Sequence, residues 1–165
     1  MKNQLTILSI LFVAFQMAAQ GYSGRGDQKF QVGANLQNNG TGISASYDYG
    51  LGQNISVGAV SSYLLGIGSN VDNGARERFD LKARFSAHLG PVIGVSDRFD
   101  LYPGLDLGLK NFGFHTGARY FFSDGFGVYT ELGFPIAKYD TGELTPAEEL
   151  HNQFAINLGV SFNFL

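Results

Sequence analysis

Asn157-Leu158-Gly159-Val160-Ser161-Phe162-Asn163-Phe164 is the stretch that decides the fold. Taken with the few residues before it, it alternates strictly. Phe154, Ile156, Leu158, Val160, Phe162 and Phe164 fall on one face, and Gln153, Ala155, Asn157, Gly159, Ser161 and Asn163 on the other. A β-strand sends successive side chains to opposite faces, so this is a strand with one apolar face and one small, polar face. In a soluble sheet the apolar face meets a core. In a membrane barrel it meets lipid, and the polar face lines the lumen.

The same alternation recurs backwards along the chain, cut by turn signals. Phe30 to Leu36 ends at Asn38-Asn39-Gly40, and Ile43 to Tyr49 ends at Gly50-Leu51-Gly52-Gln53-Asn54. Ile55 runs on toward Tyr63 and Leu65, and a polar loop follows from Gly66 to Glu77. Phe79, Leu81, Ala83, Phe85, Ala87 and Leu89 alternate with Arg78, Asp80, Lys82, Arg84, Ser86 and His88. A fifth strand, Phe99 to Leu109, contains Pro103, which marks a bulge or a weak ladder position, and Gly90–Asp97 is a long connection before it. Phe114 to Phe122, Phe126 to Ile136 and the closing stretch complete eight strands. Strands of ~10 residues, even in number and in up-and-down order, predict an all-β fold, an eight-stranded antiparallel transmembrane β-barrel.

Composition sets the bounds. The chain has 165 residues, 23 Gly, 15 Phe, 8 Tyr and no Trp or Cys. Without Cys there is no disulfide and no thiolate metal site. A net charge of −3 leaves no footprint for nucleic acid. Lys2, the apolar run Leu5 to Phe15 and the small pair Ala18-Ala19 read as a signal peptide over residues 1–19. Residues 20–28 read as a flexible lead-in and 29–165 as the barrel domain.

The aromatic residues sort by height. With the N-terminus on the periplasmic side, Phe30, Tyr49, Phe99, Phe122, Phe126, Phe162 and Phe164 share one end, and Tyr63, Phe79, Phe114, Phe134 and Phe154 the other. Residues eight apart on a strand tilted by ~45° stand about 19 Å apart along the membrane normal, the spacing of two girdles around an apolar band.

The other face carries Asp48, Asp80, Lys82, Arg84, His88, Asp100, Asp106, Lys110, His115, Arg119 and Glu131. A dry soluble core cannot hold such charges, whereas a narrow barrel pairs them across its lumen. Asp80, Arg84, Asp106, His115, Arg119 and Glu131 are expected to form a lumenal network centred on Arg84, Arg119 and Glu131, with a plugged interior rather than an open pore. Gly104, Gly117 and Gly133 are expected to make room for Arg119, Tyr102 and Tyr129.

The region from Lys29 to Leu165 resembles the small outer-membrane barrels of the OmpA-transmembrane-domain and OmpX type, in architecture and in its ending. Asn157, Gly159, Phe162 and Phe164 occupy the places of the C-terminal assembly signal of such barrels, with Leu165 as a departure after the last aromatic. The resemblance implies insertion by the barrel-assembly machinery and a monomer in outer-membrane lipid. It transfers no activity.

No pattern points to an enzyme, a cofactor or a metal. His88 and His115 among the acids lack metal spacing and read as structural hydrogen-bonders. His115 or His151 with Ser123 or Ser161 lacks a nucleophile motif. Asp72-Asn73-Gly74 reads as a turn, and Asp140, Glu143, Glu148 and Glu149 as a solvated acidic loop. The expected role is structural or surface-interacting, through an unknown ligand at the outer loops. The alternative is a secreted or periplasmic barrel that binds a small ligand.

Overall fold

The period-two segments form eight strands: β1 (Gln28–Gln37), β2 (Gly40–Gly50), β3 (Ile55–Ile67), β4 (Phe79–Ala87), β5 (Phe99–Gly108), β6 (Asn111–Ser123), β7 (Phe126–Lys138) and β8 (Ala155–Phe164). The structure, a computed structural model, describes residues 20–68, 74–139, 142 and 149–164. The expected signal peptide, Asp72, Asn73, most of the acidic loop (Asp140, Glu143 and Glu148) and Leu165 lie outside the described residues.

Each strand pairs antiparallel with its sequence neighbour, and β1 pairs with β8 to close the barrel. Closure leaves no unpaired sheet edge. At the seam the stretch quoted first lies against β1, with Val160 opposite Val32, Gly159 opposite Gly33 and Asn157 opposite Asn35. Asn35 Nδ2 donates to Asn157 Oδ1 at 2.7 Å across it.

Short connections set the register. Asn39 adopts φ 57° in the turn from β1 to β2, the left-handed backbone that two-residue hairpin turns favour. A bulge between Thr41 and Gly42 lets Leu64 point inward while Leu65 stays exposed. The fifth strand stands where the sequence placed it, and the long connection before it contains a helical turn, α2 (Gly90–Ile93), that follows a first one, α1 (Ala75–Arg78), in the loop after β3. Pro103 faces Thr116 of β6, while the ladder to β4 stops at Ser86 opposite Gly104. The missing N–H therefore falls where the β4 ladder has just ended.

The barrel is inside out relative to a soluble protein. Beside a few apolar and aromatic side chains such as Tyr102, Phe121 and Leu64, its buried residues include Lys29, Gln31, Asp48, Asp80, Arg84, His88, Asp100, Asp106, His115, Arg119 and Glu131, with Arg119 only 1% exposed. Its exposed face presents Val32, Ile43, Leu81, Phe85, Leu105, Val128 and Leu158, with Phe85 45% exposed. Apart from Lys138, exposed at the far end of β7, the exposed positions of the eight strands contain no Asp, Glu, Lys or Arg.

The aromatics do form two belts. At the near end, which carries the N-terminus, ring contacts run through Tyr120, Phe122, Phe126, Phe162, Phe30 and Phe164, at centroid distances of 5.4 to 6.5 Å. At the far end Phe134 touches Phe114 at 6.4 Å and Phe154 at 5.0 Å. Tyr49 stands at the near end of β2, and Phe79 lies opposite Tyr63 at the far end of β4.

The lead-in departs from its expected flexibility. Tyr22 and Asp27 are buried, and Tyr22 donates its hydroxyl to Ile55 O at 2.6 Å. Gly26 N and Gly50 N bond the strap to β2 through Gly50 O and Asp27 O, each at 2.8 Å. Polarity and glycine content suggest disorder only when nothing nearby needs filling. Here the open mouth of the barrel offers a ring-sized gap.

Candidate functional site: a packed polar lumen

The lumen is the place where polar chemistry concentrates, and it is built in layers. At the near end Tyr22 stacks flat on the His88 ring, 3.6 Å between centroids and 6° between planes. Burial, reinforced by the nearby Asp27 carboxylate, pushes the Tyr22 hydroxyl up to about 12, so it stays protonated and holds its backbone acceptors. Lys29 lies over the Phe121 ring, paired with Asp27 and donating to Asn163 Oδ1 at 2.9 Å.

The next layer belongs to Arg119. Its guanidinium pairs with Asp100 at 2.9 Å and reaches toward Asp48 at 3.8 Å. Asp100 also accepts from Gly90 N and lies 2.7 Å from His88 Nδ1. Tyr102 occupies the centre of the barrel. The guanidinium carbon of Arg119 lies 4.7 Å from its ring centroid and that of Arg84 5.8 Å. Two guanidinium groups over one ring make Tyr102 the hub of the stack. Its hydroxyl accepts from Gln31 Nε2 at 3.2 Å, and Gln31 Oε1 accepts from Ser46.

Arg84 donates to Glu131 at 2.6 Å and stands 3.6 Å from Asp48. The expected centre therefore resolves into two. Arg84 and Glu131 form one pair, while Arg119 joins Asp100 instead of Glu131. Asp48 lies between them. His115 pairs with Asp106 at 2.9 Å in the same layer as Arg84. Asp80 sits apart, toward the far end, 3.6 Å from Lys82. The strand alternation placed all six expected residues on the lumenal side, but partners were set by the closure of the sheet, which brings β4 opposite β7.

Gly117 does face Tyr102, since a Cβ there would run into the phenol ring. Gly104 makes room for His115 rather than for Arg119. Gly133 makes room for nothing, because its nearest neighbour is Ala155 O at 3.9 Å.

Two Ser–His–Asp arrangements emerge that the sequence did not disclose. Ser86 Oγ lies 3.0 Å from His115 Nε2, and His115 Nδ1 lies 2.9 Å from Asp106. Ser56 Oγ lies 2.8 Å from His88 Nε2, and His88 Nδ1 lies 2.7 Å from Asp100. Ser56 and Ser86 face each other across β3 and β4. The geometry resembles that of an activated nucleophile. Yet both serines are shut inside the stack, at 1% and 0% exposure. Ser123 and Ser161, which the sequence reading set aside for want of a nucleophile motif, are not the serines that these histidines contact.

The far half of the lumen keeps a small polar cavity of about 40 Å³, bounded by Asn35, Asp80, Lys82, Asp106, Glu131 and His151 among others. Its lid is formed by the described residues just before β8, His151 and Gln153 among them. His151 adopts φ 65°, accepts or donates with Ser62 Oγ at 3.3 Å, and donates from Nε2 to Arg78 O at 2.9 Å. Its backbone N donates to Gln37 Oε1, and its carbonyl accepts from Asn111. Burial and then the nearby Lys110 charge depress the His151 imidazole to about 4, so it is neutral at pH 7. Among the described residues no group of three His, Cys, Asp or Glu is placed to hold a metal ion.

This chain is a member of the family described as "Family of unknown function (DUF6646)", which matches residues 12–164. A solved structure described as "De novo design of transmembrane beta-barrels" superposes with a TM-score of 0.56 at 12% identity, covering 86% of this chain and 98% of that one. At that identity the likeness is one of fold, a closed eight-stranded barrel. No curated protein matches the chain. Among the described residues no helix is long and apolar enough to cross a membrane, which leaves crossing by strands untouched.

Proposed function

We propose that the protein is an integral outer-membrane β-barrel of the small OmpA-transmembrane-domain and OmpX type, exported by its N-terminal signal and inserted by the barrel-assembly machinery. The observation that carries this reading is the inversion of the barrel. A continuous uncharged apolar face points outward, and the ionic residues point in. At about 25 cal/mol per Å² of apolar surface removed from contact with water, such a wall has a strong drive toward hydrocarbon. A soluble ligand-binding barrel requires the opposite arrangement, apolar inside and polar outside. The two aromatic belts support the same reading, since rings of this kind settle at membrane interfaces.

The role we assign is non-enzymatic, as a monomeric structural or surface-interacting barrel. The support is the packed lumen: Arg119, Tyr102, Lys29 and Phe121 are among its largest fully buried side chains, and Ser56 and Ser86 are themselves buried. Contacts with other molecules fall to the far-end loops. The test is an extraction from the host membrane and a gel. Retention after carbonate washing and faster migration of the unheated protein are expected. Release by carbonate, with identical mobility heated and unheated, would sink the reading.

A further inference from the structure

The near-end belt is incomplete. Its rings cover β6, β7, β8 and β1, with Tyr49 on β2 and Phe99 on β5. Between Tyr49 and Phe99, the near ends of β3 and β4 hold Ile55 and Ala87, which face each other, and the nearest outward ring there is Phe85, one outward position further in and in register with Val57 and Tyr49. A girdle of amphipathic rings normally runs around the whole barrel.

The two connections that flank this gap carry exposed aliphatic residues. The connection from β4 to β5 presents Pro91, Val92, Ile93 and Val95, of which Val92 is 64% and Val95 70% exposed. The connection from β2 to β3 presents Leu51, also exposed. The two are joined, since His88 N donates to Asn54 O at 2.8 Å. The helical turn α2 is firmly seated: Gly90 N donates to Asp100 at 3.3 Å, and the left-handed Gly94 closes the turn back onto Gly90 O. A rigid turn therefore holds aliphatic side chains out beside the strand ends that lack aromatics. An aqueous loop has no need of such a cluster, and exposed apolar patches rimmed by polar residues mark contact surfaces. Here the rim is Asp97 and Arg98.

We propose that Pro91–Val95, with Leu51, is a lipid-contacting foot that completes the near-end girdle by dipping into the headgroup–acyl boundary of the membrane leaflet on that side. The occupant is the lipid surface, because the patch continues the apolar wall of Val57 and Phe85 past the strand ends of β3 and β4, which carry no ring of their own. This inference rests on the membrane reading above. An aliphatic turn lying in the interface is held by its buried apolar area, and the Arg98 charge beside it suits anionic or zwitterionic headgroups.

The chain has no Trp, so a single introduced Trp reports its own environment. Val92→Trp, Val95→Trp, Val128→Trp on the outward wall of β7, one outward position in from Phe126, and Arg25→Trp on the exposed strap are each refolded into phosphatidylcholine vesicles with and without brominated acyl chains. Correct folding is checked for each by the heat-dependent gel shift, and Val95→Trp serves if Val92→Trp fails to fold. The foot predicts blue-shifted emission for Val92→Trp or Val95→Trp, with quenching by shallow bromines at least about half that of Val128→Trp, and none for Arg25→Trp. Emission typical of water without quenching at positions 92 and 95, while Val128→Trp is quenched, overturns the foot and leaves the membrane reading standing. Blue-shifted emission without quenching also overturns it, because protein rather than lipid then covers the patch. If Val128→Trp itself is not quenched, the membrane reading fails and the foot with it.

Discussion

Arg84 and Glu131 meet at 2.6 Å with the guanidinium wholly buried and the carboxylate nearly so. Two ions taken out of water hold together only while each compensates the other. Glu131→Gln is expected to destabilise the barrel by about 3–5 kcal/mol, since Arg84 is left with Asp48 at 3.6 Å as its nearest acid. The double variant Arg84→Met with Glu131→Met is expected to recover much of that loss. Urea unfolding in lipid vesicles measures both. The exposed Glu149→Gln serves as the reference, and a loss there equal to that of Glu131→Gln would remove the lumenal pair as a source of stability.

Gly117 and Gly133 share a lumenal face but not a role. A methyl at 117 meets the Tyr102 ring, the hub between two guanidinium groups, whereas a methyl at 133 meets nothing closer than 3.9 Å. Overpacking a filled interior costs about 1–3 kcal/mol. Gly117→Ala is therefore expected to lower the unfolding midpoint, with partial recovery in Gly117→Ala/Tyr102→Leu. Gly133→Ala is expected to leave stability unchanged or to raise it by about 0.5 kcal/mol, because glycine weakens a strand. Equal losses at the two sites would show that the Tyr102 contact is not what constrains Gly117.

The lid over the far-end cavity should loosen in acid. His151 is neutral in the folded protein down to about pH 4, while an unfolded histidine takes up its proton near 6.5. Between those values the unfolded chain binds more protons than the folded one, so stability rises with pH across that window and is lost as pH falls through it. The full effect is on the order of 3 kcal/mol at pH 4. His151→Asn keeps a residue that tolerates positive φ and removes the titration. It should flatten the acid limb of the urea midpoint between about pH 6.5 and 4. An unchanged acid limb in this variant would assign the pH dependence to other groups.

Much of this barrel was legible because period two survives in every strand. Eight strands, their facing, the two belts and the lumenal side of Asp80, Arg84, Asp106, His115, Arg119 and Glu131 follow from alternation alone. Partner choice did not follow. Asp100 stands directly opposite Arg119 in the ladder and captures it, while Glu131 reaches across the lumen to Arg84. Such pairings depend on how the strands stagger when the sheet closes, which no single segment encodes. The strap was missed for a different reason. Tyr22 and Asp27 sit in a polar, glycine-rich run with no periodicity, and only the unfilled mouth above His88 gives them a place. The one available signal was a lone tyrosine in an otherwise featureless lead-in. The paired Ser–His–Asp arrangements were hidden too, since Ser56 and Ser86 look like any small lumenal residue.

The ending of the chain makes the last prediction, and it separates assembly from stability. Phe162 and Phe164 flank Phe30 across the seam, at 6.4 and 6.2 Å, so they weld the last strand to the first. Asn157 and Gly159 face the lumen beside Asn35 and Gly33, where a Cβ on Gly159 would collide with the Val32 backbone. If these four positions serve only closure, deleting Phe164 and Leu165 lowers stability by the loss of one edge ring and leaves insertion otherwise intact. If they also form the assembly signal, the deletion slows or blocks insertion in cells while the purified variant still refolds into detergent micelles. We expect the second outcome. Pulse-labelled cells give the first reading, as the fraction of heat-modifiable barrel formed with time, and refolding yield gives the second. Normal insertion in cells by the shortened chain would show that the ending is a structural seam and nothing more.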